Sequence, residues 1–380
     1  MGGYIGNGQP VAILDGYTQS QADTAFEEDL STPSTDGHVL ASTTAGTRSW
    51  IPPGRRNAII NGMFDIWQRG TSQTSTGYGS DDRWNNFHAG STKTVSRQTF
   101  TVGQTDVPGN PKYYSRTVVT TGSGASDYVG KQQAIEGVET FAGETTTLSF
   151  WAKADASKNI ATEFFQSFGT GGSPSASVTA IGVTTCALTT SWQKFTVSVA
   201  IPSINGKTLG TNGDDALFLN IWLDAGSDFN SRTNSLGNQS GTFDIANVQL
   251  ELGSTATPFE RRSVGDELAL CQRYYQRIVS DSNYSSFGAG YGNTTTSAYI
   301  NIDLNTVMRA VPTIGSSGVS TFMISKTGTN IASTGFSVSY NSKNTIFATV
   351  NVASGLVAGE GALLIANNSA TTYIDADAEL

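Results

Sequence analysis

Two short runs carry the side chains best suited to hold a ligand. In Leu148-Ser-Phe-Trp-Ala-Lys153 a two-residue period turns Leu148 and Phe150 one way and Trp151 and Lys153 the other. In Leu217-Phe-Leu-Asn-Ile-Trp-Leu-Asp224 the apolar set Leu217, Leu219, Ile221 and Leu223 opposes Phe218, Asn220, Trp222 and Asp224. Aromatic rings stack on the apolar C–H faces of sugars, and Asn, Asp and Lys pair with sugar hydroxyls. Trp151, Lys153, Asn220, Trp222 and Asp224 are therefore the candidate carbohydrate-binding set, with Asn247 and Gln249 as neighbours. A subunit interface or an inter-sheet contact is the commoner fate of such a face, because both are enriched in Trp and Phe.

Catalytic chemistry finds less support. Glycoside cleavage needs two carboxylates held across a sugar. Asp81 and Asp82 are adjacent and point apart, and Glu136 and Glu139 are no better placed. Gly169-Thr-Gly-Gly172 and Gly288-Ala-Gly290 lack the Lys-Ser/Thr and helix of a phosphate loop, so they read as turns. His38 and His88 stand in unrelated contexts and do not suggest zinc. Cys186 and Cys271 read as buried free thiols. No enzyme is expected.

The elements that must position these side chains are strands. The chain has 380 residues, 42 of them Gly, and only 14% are charged. Abundant Gly, Ser, Thr and Asn favour short strands and many turns. The net charge of −9 is spread thinly, without the clustered Lys and Arg that a nucleic-acid partner requires. Met1-Gly-Gly-Tyr-Ile-Gly-Asn7 shows no secretory signal, and no apolar run reaches the roughly 20 residues of a membrane helix.

In order, residues 1–56 form a linking segment poor in periodic pattern. Gln19–Leu30 offers a short helix, and the segment either orders against other chains or frays. Residues 57–262 carry a buried strand at Ala58–Trp67, then strands ending in Thr242–Leu252, and read as an antiparallel sandwich. In that last strand Ala246, Val248, Leu250 and Leu252 should face one way, and Asn247, Gln249 and Glu251 the other. Residues 263–279 read as the one convincing helix, with Ser263 and Asp266 as a capping pair. Val264, Leu268, Cys271, Tyr275 and Ile278 give it a seam suited to self-association. Residues 280–380 read as a small second β-sandwich. The fold class is all-β.

Four pieces together resemble a known family. They are Asn57-Ala-Ile-Ile-Asn-Gly-Met-Phe-Asp-Ile-Trp-Gln-Arg-Gly70, Asp82-Arg83-Trp84, Leu148-Ser-Phe-Trp-Ala-Lys153, and Thr242–Arg262 running on into Cys271-Gln-Arg-Tyr-Tyr275. The chain is similar to bacteriophage tail-fibre and receptor-binding proteins with a carbohydrate-binding-module-like jelly roll. The ending Ala376-Asp-Ala-Glu-Leu380 and the leader's Asp36-Gly-His-Val-Leu40 and Gly46-Thr-Arg-Ser-Trp50 also resemble pieces of such proteins. The resemblance implies a homotrimer in the virion, joined to other tail proteins through residues 1–56, with its β domains free to meet a host surface glycan. A non-adhesive head fibre, a tail adaptor and a polysaccharide-cleaving spike are the alternatives on the same scaffold. It also implies no cofactor beyond a structural calcium, for which Asn61, Asp65 and Asp244 are the conceivable oxygen ligands.

Overall fold

The computed structural model describes Val39–Ser42, Arg48–Ile51 and residues 56–380. The helix expected at Gln19–Leu30 lies outside the described residues. The chain divides into two units, 1–56 and 57–380. In the first, strands β1 (Val39–Ser42) and β2 (Arg48–Ile51) pair antiparallel.

The second unit opens with β3 (Ser72–Gln73), β4 (Asn85–Ala89), β5 (Thr92–Thr99), β6 (Tyr113–Thr120), β7 (Tyr128–Glu136) and β8 (Thr145–Ala154). It continues through β9 (Lys158–Ser167), β10 (Val178–Leu188), β11 (Gln193–Ala200), β12 (Ala216–Ala225) and β13 (Gly241–Leu252). One sheet has the order β10-β9-β12-β7-β4, the other β11-β8-β13-β6-β5-β3. The chain passes repeatedly from one sheet to the other, which is the winding of a jelly roll. Inward residues of both sheets meet in one core: Leu148 and Phe150 from β8, Ile160 and Phe164 from β9, Leu217, Leu219 and Ile221 from β12. Each such side chain stabilises the fold by about 1.5–3 kcal/mol relative to exposure.

Ala58–Trp67 is buried but is not a strand. Asn61 (φ 57) and Phe64 (φ 58) adopt the left-handed conformation and turn the chain back on itself. The Asn61 amide holds that turn. Its Oδ1 accepts from Ile66 N at 3.0 Å, and its Nδ2 donates to the carbonyls of Ile66 and Asp82 at 2.8 and 3.0 Å. An asparagine tolerates this conformation because its short polar side chain bonds to nearby backbone.

The alternation expected in β13 fails at one point. Ala246 pairs with Trp151 and Gln249 with Ser149, so two residues of β13 stand opposite Phe150 alone. This is a β-bulge, and Asn247 (φ 48) supplies its left-handed residue. Phe243, Ile245, Val248 and Leu250 face the core, whereas Ala246 packs on the outer face with Phe100 and Val107. Leu252 is exposed. Gln249 and Glu251 face outward yet are buried. They hold the connection that follows, since Glu260 N donates to Gln249 Oε1 at 2.7 Å and Thr257 N to Glu251 Oε1 at 2.9 Å.

The helix runs only over Val264–Gln272. Its cap is the expected pair, with Ser263 Oγ accepting from Asp266 N at 3.1 Å. The seam, however, is broken. Val264 is exposed and Cys271 buried, while Tyr275 and Ile278 belong to strand β14 (Tyr275–Val279). The β-prone run Tyr275-Gln-Arg-Ile-Val279 finds a strand partner, and the ladder outcompetes a marginal helix.

The rest of the unit is β15 (Ser286–Gly292), β16 (Ser297–Asp303), β17 (Thr313–Ser316), β18 (Phe322–Lys326), β19 (Thr329–Asn341), β20 (Thr345–Val352), β21 (Gly361–Ala366) and β22 (Tyr373–Asp377). Strands β15-β16-β20-β19-β18-β21 close into a barrel, and β14-β22-β17 form a separate sheet beside it. The C-terminal part is thus a closed barrel with an added sheet rather than an open sandwich. Closure leaves the barrel without free edges. Its core contains Ile300, Ile302, Phe322, Ile324, Ala348 and Leu364, and Ile374 from β22 packs onto it.

Arginines join the sandwich to the β14-β22-β17 sheet and the residues that flank it. Arg69 pairs with Asp377 at 2.9 Å and lies 3.4 Å from the Tyr275 ring centre. Arg83, fully buried, pairs with Glu379, donates to the Ala134 carbonyl at 2.7 Å and lies 3.5 Å from the Tyr274 ring centre. Arg273 and Tyr274 both reach Glu136, each at 2.8 Å. A planar guanidinium suits this joint because it can pair with a carboxylate and stack on a ring at once.

Candidate functional site

The two runs singled out from the sequence occupy opposite sheets. Trp151 and Lys153 lie on β8, whereas Asn220, Trp222 and Asp224 lie on β12. Both runs face outward from the shared core, so the five residues do not form one surface. The two-residue period orients a side chain relative to its own sheet and says nothing about which sheet it belongs to.

On β12 the three residues are structural. Glu163, buried beneath them, accepts from Asn220 Nδ2 at 2.8 Å, Trp222 Nε1 at 3.1 Å and Arg232 Nη2 at 2.5 Å. Trp222 is 2% exposed and packs among Phe87, Tyr128 and Phe229. Asp224 accepts from Ser91 Oγ at 2.5 Å, Thr121 Oγ1 at 2.9 Å and Gln239 N at 2.7 Å. The Ser227–Phe229 turn and the short helix Asn230–Thr233 bring in Phe229 and Arg232, which is why this face is not open.

Two of the conceivable calcium ligands are committed elsewhere. Asn61 organises its turn, and Asp244 forms a bidentate pair with Arg116 at 2.7 and 2.8 Å. Burial raises the Asp65 carboxyl above its ordinary range, with Arg261 opposing the rise. No metal-holding group of three or more His, Cys, Asp or Glu occurs among the described residues.

The outer face of β8 is different. Phe100, Tyr114 and Trp192 cluster there, with ring centres 4.7 to 5.3 Å apart. Lys153 Nζ lies 5.3 Å from the Trp192 ring centre and 3.8 Å from Asp244, so it supports this cluster. Next to it a pocket of about 270 Å³ opens beside Trp151. The strand ladder sets its floor: Lys194 of β11 stands opposite Trp151, and Ala246 of β13 flanks it on the other side. Ser149 and Asn247 add polar groups, while Phe259 and Arg261 come from the connection after β13.

Asn247 is the informative residue. It is 2% exposed, and its Nδ2 donates to the Pro108 carbonyl at 3.1 Å. Its Oδ1 is buried with no partner. An unsatisfied buried acceptor costs about 1–3 kcal/mol, so a hydroxyl or N–H brought into the pocket would recover that loss. The bulge fixes the position of this oxygen. Asn247 was foreseen as a neighbour of the candidate set, but Lys194, Phe259 and Arg261 were not. Lys194 was legible in principle, since it follows Trp192-Gln193 in an alternating strand. Phe259 and Arg261 depend on the path of a connection that no periodicity describes.

No family model matches the sequence, and no curated protein matches it. Among solved structures the chain is similar to a CBM4 structure, at 19% identity over 51% of this chain and 98% of that one, with a TM-score of 0.30. It is similar to the enzymatically active domain of bacteriophage CBA120 tailspike protein 4, at 13% identity over 52% of this chain and 21% of that one, with a TM-score of 0.29. A family 11 carbohydrate-binding module from Clostridium thermocellum, in complex with a β-1,3-1,4-mixed-linked tetrasaccharide, is similar at 13% identity over 49% of this chain and 98% of that one, with a TM-score of 0.28. Likenesses this distant identify neither a ligand nor an appendage.

Proposed function

We propose that the chain is a structural protein of a bacteriophage particle, a homotrimeric tail fibre that attaches to the host cell surface by binding a surface glycan. The observation that carries the binding part is the pocket beside Trp151. It joins an aromatic ring, for the C–H face of a sugar, to a buried acceptor without a partner, for a hydroxyl. At about 270 Å³ it is smaller than the roughly 300–1,000 Å³ of drug-sized ligand sites, which suits a single sugar residue. None of its lining residues carries a carboxylate, so the reading is of binding without cleavage. The virion setting, the trimer and attachment to other tail proteins through residues 1–56 are supported by the sequence resemblance.

Two tryptophan variants separate binding from folding. Trp151→Ala should weaken binding to host-surface glycan by about tenfold or more, with a smaller loss of stability than the other variant, because the ring is only partly buried. Trp222→Ala should instead lower stability by about 3–5 kcal/mol, since that ring is buried over Glu163. Glycan-array binding and thermal melts of both variants provide the test. Undiminished binding by folded Trp151→Ala would place the glycan site elsewhere, and a non-adhesive fibre or adaptor would then be the better reading.

A further inference from the structure

Building on the glycan reading of the Trp151 pocket, we infer that its ligand is an acidic sugar: a pyranose bearing a carboxylate, such as a hexuronate or a sialic acid, with Lys194 and Arg261 receiving the acid group. The charge of the pocket runs against that of the chain. The whole sequence carries −9, yet the only charged residues lining the pocket are the cations Lys194 and Arg261. Both are exposed surface side chains with freedom to meet a ligand. Neither makes an ion pair among the described residues, although most of the other interior and joint cations do. Arg261 Nη1 donates to the Gly109 carbonyl at 3.2 Å, which steadies the guanidinium at the rim and leaves its remaining N–H groups available.

The positions also make chemical sense together. Lys194 stands directly opposite Trp151 across the β11–β8 ladder, so a ring stacked on the indole has an ammonium at its edge. Asn247 Oδ1, on the β13 side, takes a hydroxyl or acetamido proton. Arg261 enters from the connection and can grip a carboxylate through two parallel N–H groups. A neutral hexose would satisfy Trp151 and Asn247 while leaving both cations unused. An acidic one engages all four.

The test uses the full chain and an array of hexuronate and sialic-acid oligosaccharides, each beside its carboxyl-reduced counterpart. Wild type should bind the acidic member of at least one pair about tenfold tighter than its reduced form, with a preference that shrinks as salt rises. The double variant Lys194→Met/Arg261→Met should bring the two members of that pair together, and Lys194→Arg should keep the preference. Equal binding of both members by wild type, or tighter binding of the reduced forms, would overturn the acidic-sugar inference and leave the glycan reading standing. A preference that survives in the double variant would remove Lys194 and Arg261 from the role. Binding to neither member of any pair would bring down the glycan reading itself.

Discussion

Replacing Lys131 with Met should cost the fold about 3–5 kcal/mol, because it strands a carboxylate inside the sandwich. Lys131 is 1% exposed and its Nζ lies 2.5 Å from Asp81 Oδ2 and 2.6 Å from Asn86 Oδ1. Asn86 Nδ2 reaches the other Asp81 oxygen at 2.7 Å, and Ser80 and Ser115 add hydroxyl bonds at 2.9 and 3.0 Å. Burial alone would push the Asp81 carboxyl up. The Lys131 ammonium, with the bonds from Lys131, Asn86 and Ser80, brings it below the ordinary carboxylate value of 3.8.

The sign of the pH dependence follows. In wild type a depressed Asp81 stabilises the fold above its unfolded value, near pH 4, and that contribution is lost as pH falls through the depressed value. Without Lys131, only the Asn86, Ser80 and Ser115 bonds oppose burial, the largest influence, and the folded carboxyl should rise above its unfolded value. Ionisation then destabilises the variant, so its deficit should be smallest in acid and grow toward neutral pH. Urea denaturation at several pH values measures this, and Asp81→Asn/Lys131→Met should lose less than Lys131→Met alone. A single variant within about 1 kcal/mol of wild type at neutral pH would mean that the pair is not the electrostatic unit described here.

Gly62→Ala is the second large effect. A Cβ at Gly62 would stand 2.0 Å from the Val248 carbonyl oxygen and 3.3 Å from Ile59 Cγ2. The obstructing atom is backbone, and it cannot rotate away. Val248 N also donates to the Gly62 carbonyl at 2.9 Å, and Asn57 Nδ2 to the Val248 carbonyl at 3.1 Å. The added methyl must therefore push on the bulge itself, at a cost near or above the usual 1–3 kcal/mol for overpacking. Because Asn247 precedes Val248, the proposed glycan binding should fall together with stability. Gly361→Ala, with nothing within 4 Å of its Cβ, should change neither, and a thermal melt of the pair reads the contrast.

The sandwich was legible where alternation was clean. Thr145–Ala154 and Val178–Leu188 are strands where alternation suggests them, although bulges interrupt the period within the second. Tyr128–Glu136 is hard to read as a strand because Lys131 and Gln133 are polar but buried, and a period count takes buried polar residues for solvent-facing ones. Their partners, Asp81 and Asn86 for one and the Ile60 backbone for the other, are remote in sequence. Tyr275 and Ile278 were misread for the converse reason, since three residues apart fits a helix until a strand partner exists. For the site, the sequence identified Trp151 correctly as an outward aromatic. It could not tell that the outer face of β12 is closed by Arg232 and Phe229 while that of β8 keeps a pocket. Covering segments decide openness, and they leave no periodic trace.

The arginine joint has a consequence for the order in which the molecule is made. Arg83 and Glu379 are 296 positions apart. A ribosome adding about 5–20 residues per second leaves an interval on the order of tens of seconds between them. Once β13 has been made the sandwich strands are present, but Arg83 still lacks its carboxylate until Glu379 follows. Until then that corner stays wet, and it dries when Glu379, just beyond β22, docks. Glu379 thus acts as a seal, and its docking changes the hydration of one buried cation.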